Sequence, residues 1–121
     1  MLSSNYIEFE PVILKDTSGY YYRDGSDDLM IIKEINAGAW SDLCIETGDK
    51  VLDLGAHIGL TSSNFLKKTK YVTSVEADPR TVKLINLNAP HATLITGAVG
   101  VEHGETPFYL ARNASWRQST T

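Results

Sequence analysis

The chain has a single cysteine, Cys44, so no internal disulfide can staple it, and lone thiols are the usage of a reducing compartment. No apolar run approaches the length of a membrane span. The opening residues 1–6 lack both a charged start and a long apolar stretch, so no signal peptide is expected. Cationic excess is missing as well. With 11 Lys and Arg against 15 Asp and Glu the formal net charge is −4, and neither phosphate backbones nor anionic lipids attract an acidic protein. Nucleic acid and membrane are therefore not expected partners, and a cytoplasmic location is. The sequon at Asn113 has no glycosylating enzyme to meet there. His91 and His103 have no carboxylate or cysteine at ligand spacing, so no metal is expected.

What is present in 121 residues, 42% of them hydrophobic and 21% charged, is enough for one domain with one core. Its centre is the stretch 50–60, KVLDLGAHIGL. A short apolar run bounded by turn residues reads as a strand buried on both faces of a sheet, ending near Asp53. Gly55 allows a tight turn and a close approach of backbone to ligand, and Gly59 allows the following helix to pack close to the sheet. Dinucleotide folds use G-x-G-x-x-G, whose middle glycine clears room for a pyrophosphate. Position 57 here is His, and the acid Asp53 would repel a phosphate. The pattern D-x-G-x-x-x-G suits instead a nucleoside with a cationic amino-acid end and no phosphate, which describes S-adenosylmethionine. A βα turn whose glycines serve geometry alone remains open as the plainer alternative.

Before this stretch, residues 7–14 alternate loosely and contain Pro11, the pattern of an edge strand. A turn at 16–19 and the run Tyr20-Tyr21-Tyr22-Arg23 complete a hairpin, with the rings packed on one face. Ser26 is positioned to cap a short helix over 27–35 that turns Ile31, Ile32 and Ile35 to the core, although its β-branched content also permits a strand. Cys44 reads as a small buried hydrophobe.

After it, a helix is expected through Lys68, its start pointing free backbone N–H groups toward the ligand. The β-rich run 71–76 ends on Glu76, about twenty residues past the glycine turn, where an acid takes a ribose hydroxyl pair. Asp78 and Pro79 open a helix that stops at Asn88-Ala89-Pro90. Residues 93–99 read as a third buried strand whose end, Gly97-Ala98, is small enough for a flat base to lie against it. Residues 106–111 read as an edge strand, and 112–121 as a polar tail. The division is thus 1–47 hairpin and short helix, 48–111 a βαβαβ core plus edge strand, and 112–121 tail.

From Arg23 onward the chain resembles the FkbM-type S-adenosylmethionine-dependent methyltransferases. The similarity lies in RDGSD at 23–27, VLDLGAHIG at 51–59, SVEADP at 74–79, LINLN at 84–88, GAVG at 97–100, Gly104 and Phe108-Tyr109. It implies an α/β, Rossmann-like class I methyltransferase sheet and methyl transfer to an oxygen or similar nucleophile of a small molecule or sugar. Cofactor contacts are implied at Asp53, Gly55, Ala56, His57, Gly59, Glu76, Ala77 and Ala98, with His57 standing where the family more often has asparagine. The family continues with an Asp-x-Glu-Gly strand and further strands that do not follow here. The sheet is therefore expected to end after its third core strand, and no catalytic residue is assigned. A non-catalytic domain of the same ancestry, binding the cofactor or a protein partner, is the first alternative. A nucleotide-binding oxidoreductase fragment, lacking the middle glycine, is the second. In doubly wound order the 51–54 strand then has an open edge, to be covered by the hairpin, by the Phe108 strand or by a second copy of the chain.

Overall fold

The computed structural model describes residues 10–105, 109–110 and 118–119. The elements run β1 (Ile13–Lys15), β2 (Tyr21–Arg23), α1 (Asp28–Asn36), β3 (Lys50–Leu54), α2 (Leu60–Leu66), β4 (Tyr71–Glu76), α3 (Pro79–Asn88), β5 (Thr93–Thr96), β6 (Tyr109–Leu110) and β7 (Gln118–Ser119). β3, β4 and β5 form a three-stranded parallel sheet in that order, while β1–β2 and β6–β7 are separate antiparallel pairs. This is a mixed α/β architecture compatible with a Rossmann-like fold. The strands expected at 7–14 and 106–111 are described only as β1, with residues 7–9 outside the described part, and as β6, with 106–108 and 111 outside it.

Local chemistry explains the well-placed elements. Asp78 caps α3 by accepting from the Arg80 amide at 2.9 Å, and Pro79 fills the first turn, where its missing N–H costs nothing. The Asp16 carboxylate accepts from the amides of Ser18 (3.1 Å) and Tyr20 (3.0 Å), holding the hairpin turn. In α1 the N-cap is Asp27 and not the expected Ser26, and the Asp27 side chain makes no cap hydrogen bond. Ser26 Oγ accepts from the Asp28 amide and donates to the Arg23 carbonyl, tying the helix start to the end of β2. Ile32 and Ile35 are buried with Ile58, Leu60 and Leu84, and the three tyrosines 20–22, partly buried, pack against that cluster.

Helices α2 and α3 lie on one face of the sheet. Ser62 of α2 bonds Asp53 and Ser74, and Leu94 packs against Ile85 and Ala89, so the row Asp53–Ser74–Leu94 faces the helices. Two right-handed crossovers stepping in the same direction must put both helices on the same side. The opposite row, Leu54–Val75–Ile95, therefore faces away from them. This corrects two expectations: β3 is buried on one face only, with Leu52 and Leu54 exposed, and β5 is largely exposed instead of a buried strand. Cys44 is also exposed, since the 37–49 connection carries no helix or strand to bury it. The outer edge of β3 pairs with neither the hairpin nor β6, each of which completes a pair of its own.

Among the described residues no helix is long and apolar enough to cross a membrane.

Candidate functional site at the carboxyl ends of β3 and β4

The turn after β3 is built from two left-handed residues flanked by a helix cap. Gly55 has φ 73°, His57 φ 53° and Gly59, the N-cap of α2, φ 87°. Histidine and asparagine tolerate this backbone region better than most side chains, which gives a physical reason for either at position 57. A Cβ on Gly55 would meet nothing within 4 Å, whereas one on Gly59 would sit 3.0 Å from the Ile85 Cα. Gly59 thus serves packing against α3, and not against the sheet as its spacing implied.

Asp53 and Glu76 project on the helix-bearing side of the sheet, at the carboxyl ends of adjacent strands. Asp53 Oδ2 accepts from Ser62 Oγ at 2.7 Å, and Ser62 Oγ lies 2.6 Å from Ser74 Oγ. Since a carboxylate only accepts, the single Ser62 proton goes to Asp53 and Ser74 donates to Ser62. Burial raises the Asp53 pKa; hydrogen bonding from Ser62 opposes this, and the negative charge of Glu76 adds to it. Glu76 is 1% exposed, and its two oxygens accept from the backbone amides of His57 (2.7 Å) and Asp78 (2.9 Å).

The turn amides are occupied rather than free. Gly55 and Ala56 both donate to the Val75 carbonyl, His57 to Glu76 and Gly59 to the Ala56 carbonyl. Of the sequence-predicted residues, Asp53, Gly55, Ala56, His57, Gly59, Glu76 and Ala77 gather at this sheet end. Ala98 lies two residues past β5, exposed, and is linked to the group only through the Gly97 amide, which donates to the Glu76 carbonyl at 3.0 Å.

Sequence reasoning missed the second layer of the site. Arg23 and Asp28 form a buried pair, with Nε to Oδ2 and Nη2 to Oδ1 both at 2.8 Å and the Arg23 amide on Oδ2 at 2.9 Å. Burial alone would raise Asp28, but the hydrogen bonds and charge of Arg23 outweigh it and hold the carboxyl below its ordinary value. His57 Nε2 approaches Asp28 Oδ1 at 4.0 Å, while His57 Nδ1 is buried without a hydrogen-bond partner. Burial lowers the His57 pKa against the pull of Asp28, Glu76 and Asp78, so the imidazole is neutral at pH 7. Asn88 joins the layers: its amide donates to the carbonyls of Tyr21 (3.0 Å) and Ile58 (2.9 Å), and its oxygen accepts from the Tyr21 amide (2.8 Å). Arg23 and Asn88 stand in RDGSD and LINLN and Asp28 directly follows the first, but a buried ion pair and a bridging amide have no period to detect.

A groove of about 230 Å³ lies elsewhere, at the far end of α2 between Trp40, Leu43, Phe65 and Lys68. Among the described residues no three His, Cys, Asp or Glu side chains are grouped to hold a metal ion. Chemically, the site offers two carboxylates and a compact turn, which suits a cationic, hydroxyl-bearing ligand better than an anionic one. Comparison of the chain with family models, with curated proteins and with solved structures returns no match in any of the three.

Proposed function

We propose that this chain binds S-adenosylmethionine at the Asp53–Glu76 end of the sheet and is an FkbM-type methyltransferase, or the cofactor-binding part of one, acting on a hydroxyl of a small molecule or sugar. The observation that carries the reading is the placement of two carboxylates at the tips of adjacent parallel strands on the helix-bearing side of the sheet, Asp53 beside Ser74 and Glu76 two residues further along β4. A phosphate-bearing dinucleotide would meet repulsion there; an ammonium and a sulfonium would relieve it. A ribose hydroxyl pair would find the two Glu76 oxygens already accepting from the backbone amides of His57 and Asp78. Reaching them requires the 55–58 turn to shift off the buried carboxylate. Methyl transfer depends mainly on holding donor and nucleophile in line, a positioning effect that needs no strong acid or base.

The burial of Glu76 favours a second reading, in which the turn and carboxylate are locked to each other and the domain transfers nothing. Calorimetric titration with S-adenosylmethionine, S-adenosylhomocysteine and NAD separates these. The proposal expects binding of the first two, none of NAD, and loss of binding in Asp53→Asn. Absence of binding by both adenosyl ligands overturns it.

A further inference from the structure

We infer that His57 is a proton-operated latch on Glu76: proton uptake by its imidazole releases the ring, turns the Ala56–His57 peptide off the carboxylate and uncovers one Glu76 oxygen. What then enters rests on the S-adenosylmethionine reading above; the latch does not.

One residue reaches two partners here. The His57 backbone N–H donates to Glu76 Oε1 at 2.7 Å, while its ring lies beside the buried Arg23–Asp28 pair, Nε2 4.0 Å from Asp28 Oδ1. Its φ of 53° is left-handed, a conformation that a residue with a Cβ keeps only while its surroundings hold it. Two holds are visible, the amide on Glu76 and the seating of the ring. Loss of the second lets φ relax to a negative value, and that rotation turns the N–H away from Oε1. The neighbours are fixed on both sides. Gly55 and Ala56 donate to the Val75 carbonyl, and Ile58 is fully buried, its carbonyl accepting from the Asn88 amide at 2.9 Å. The movable part is therefore the Ala56–His57 peptide and the ring, at the further loss of the Gly59 amide's bond to the Ala56 carbonyl.

The latched turn has no place for a second proton on the ring. A neutral imidazole carries one N–H and an imidazolium two. Nδ1 is buried with no hydrogen-bond partner among the described residues, and Nε2 stands beyond hydrogen-bond distance of Asp28. Proton uptake would therefore bury a charged donor without an acceptor. Burial holds the ring's pKa below the ordinary 6.5. Of the charged groups facing it, Asp28 of α1, Glu76 of β4 and Asp78 ahead of α3 attract an imidazolium, and Arg23 of β2 repels it. Once unlatched, the ring meets water and titrates near 6.5, so the open form binds the proton more readily and falling pH favours opening. If the closed form takes up no proton, the opening equilibrium gains about tenfold between pH ~7.5 and ~5.5; any uptake by the closed form makes the gain smaller. A ligand that needs Glu76 uncovered shares that gain.

Amide hydrogen exchange of the ligand-free chain, measured by NMR as protection relative to each residue's intrinsic rate, follows the latch directly. From pH ~7.5 to ~5.5 the protection of the His57 amide should fall several-fold, with about tenfold as the ceiling, along the titration curve of its own ring nitrogens. The Leu84 and Ile85 amides inside α3 should keep theirs. In His57→Asn, which suits the left-handed backbone, protection at position 57 should stay level over this range. Circular dichroism checks that the variant folds, and the wild-type titration decides alone if it does not. Calorimetry with S-adenosylhomocysteine at both pH values reads the consequence: the ratio of wild-type to variant affinity should rise several-fold at the lower pH, a comparison in which titration of Asp53 cancels. His57 protection that stays level or rises as pH falls, a loss shared by Leu84 and Ile85, or an equal loss in His57→Asn overturns the latch. With the expected exchange, a pH-independent affinity ratio overturns its control of ligand entry. Absence of ligand heat at both pH values counts against the S-adenosylmethionine reading alone, and the exchange result still decides the latch.

Discussion

Replacing Gly59 by alanine perturbs the site at its most constrained point, and Gly55→Ala provides the internal comparison. Both positions have positive φ, 87° and 73°, so each alanine bears a left-handed backbone penalty of about 1–2 kcal/mol. Only at Gly59 does the new methyl meet backbone, 3.0 Å from the Ile85 Cα on α3, where neither partner yields as a flexible side chain could. Overpacking of that kind adds about 1–3 kcal/mol. Gly59→Ala should therefore lose roughly 2–5 kcal/mol in urea denaturation and Gly55→Ala roughly 1–2, with unchanged m-values. Ligand binding should order the two oppositely: Gly55→Ala, whose methyl enters open space at the turn, costs affinity in a protein still mostly folded. Equal destabilisation by the two alanines would refute the assignment of Gly59 to helix packing and Gly55 to ligand approach.

Asp28→Asn takes the carboxylate from a buried guanidinium and should cost about 3–5 kcal/mol of stability, measured by chemical denaturation. Asp28 is also a source of acid lability. Its folded pKa lies below the ordinary 3.8, so its contribution is complete above 3.8 and is lost as pH falls through the lower folded value. For His57 the shift is also downward, from an ordinary 6.5, but the group is a base: the unfolded chain binds the proton first, so stability declines as pH drops below 6.5 toward the folded value. His57→Asn, compatible with the left-handed backbone, should flatten the unfolding midpoint across that window. Asp53 has a raised pKa, so its ionised form at neutral pH opposes folding; Asp53→Asn should raise the thermal midpoint at pH 7 while abolishing ligand binding, and a lowered midpoint with binding intact would contradict the assignment.

The sequence made β4 and α3 legible because each carries its own punctuation: a β-branched run closed by Glu76, then Asp78 and Pro79 as cap and first turn, and Pro90 beyond the end. The gathering of the 53–59 turn with Glu76 was likewise readable, since glycine spacing and strand-end acids are local patterns. Exposure was not. VLDL reads the same whether one face of its sheet is covered or two, and only the direction in which both crossovers step leaves Leu52 and Leu54 bare. Ser62 and Ser74, which hold Asp53, sit in ordinary polar runs, and the Arg23–Asp28 pair links the end of the expected hairpin to the first turn of the expected helix, where the acid reads simply as a complement to the helix dipole. These contacts join residues from different elements or depend on burial, and neither leaves a periodic trace. Cys44 was misplaced for a related reason, because small apolar character predicts burial only where an element exists to bury it.

Isothermal titration of the wild-type chain with S-adenosylhomocysteine, alongside Asp53→Asn and Glu76→Gln, bears most directly on the central claim that paired strand-end carboxylates recognise a phosphate-free nucleoside. The account predicts saturable one-to-one heat for the wild type, with affinity lost in Asp53→Asn and at least tenfold weaker in Glu76→Gln. Undiminished binding in both variants, or no binding by the folded wild type, would contradict it.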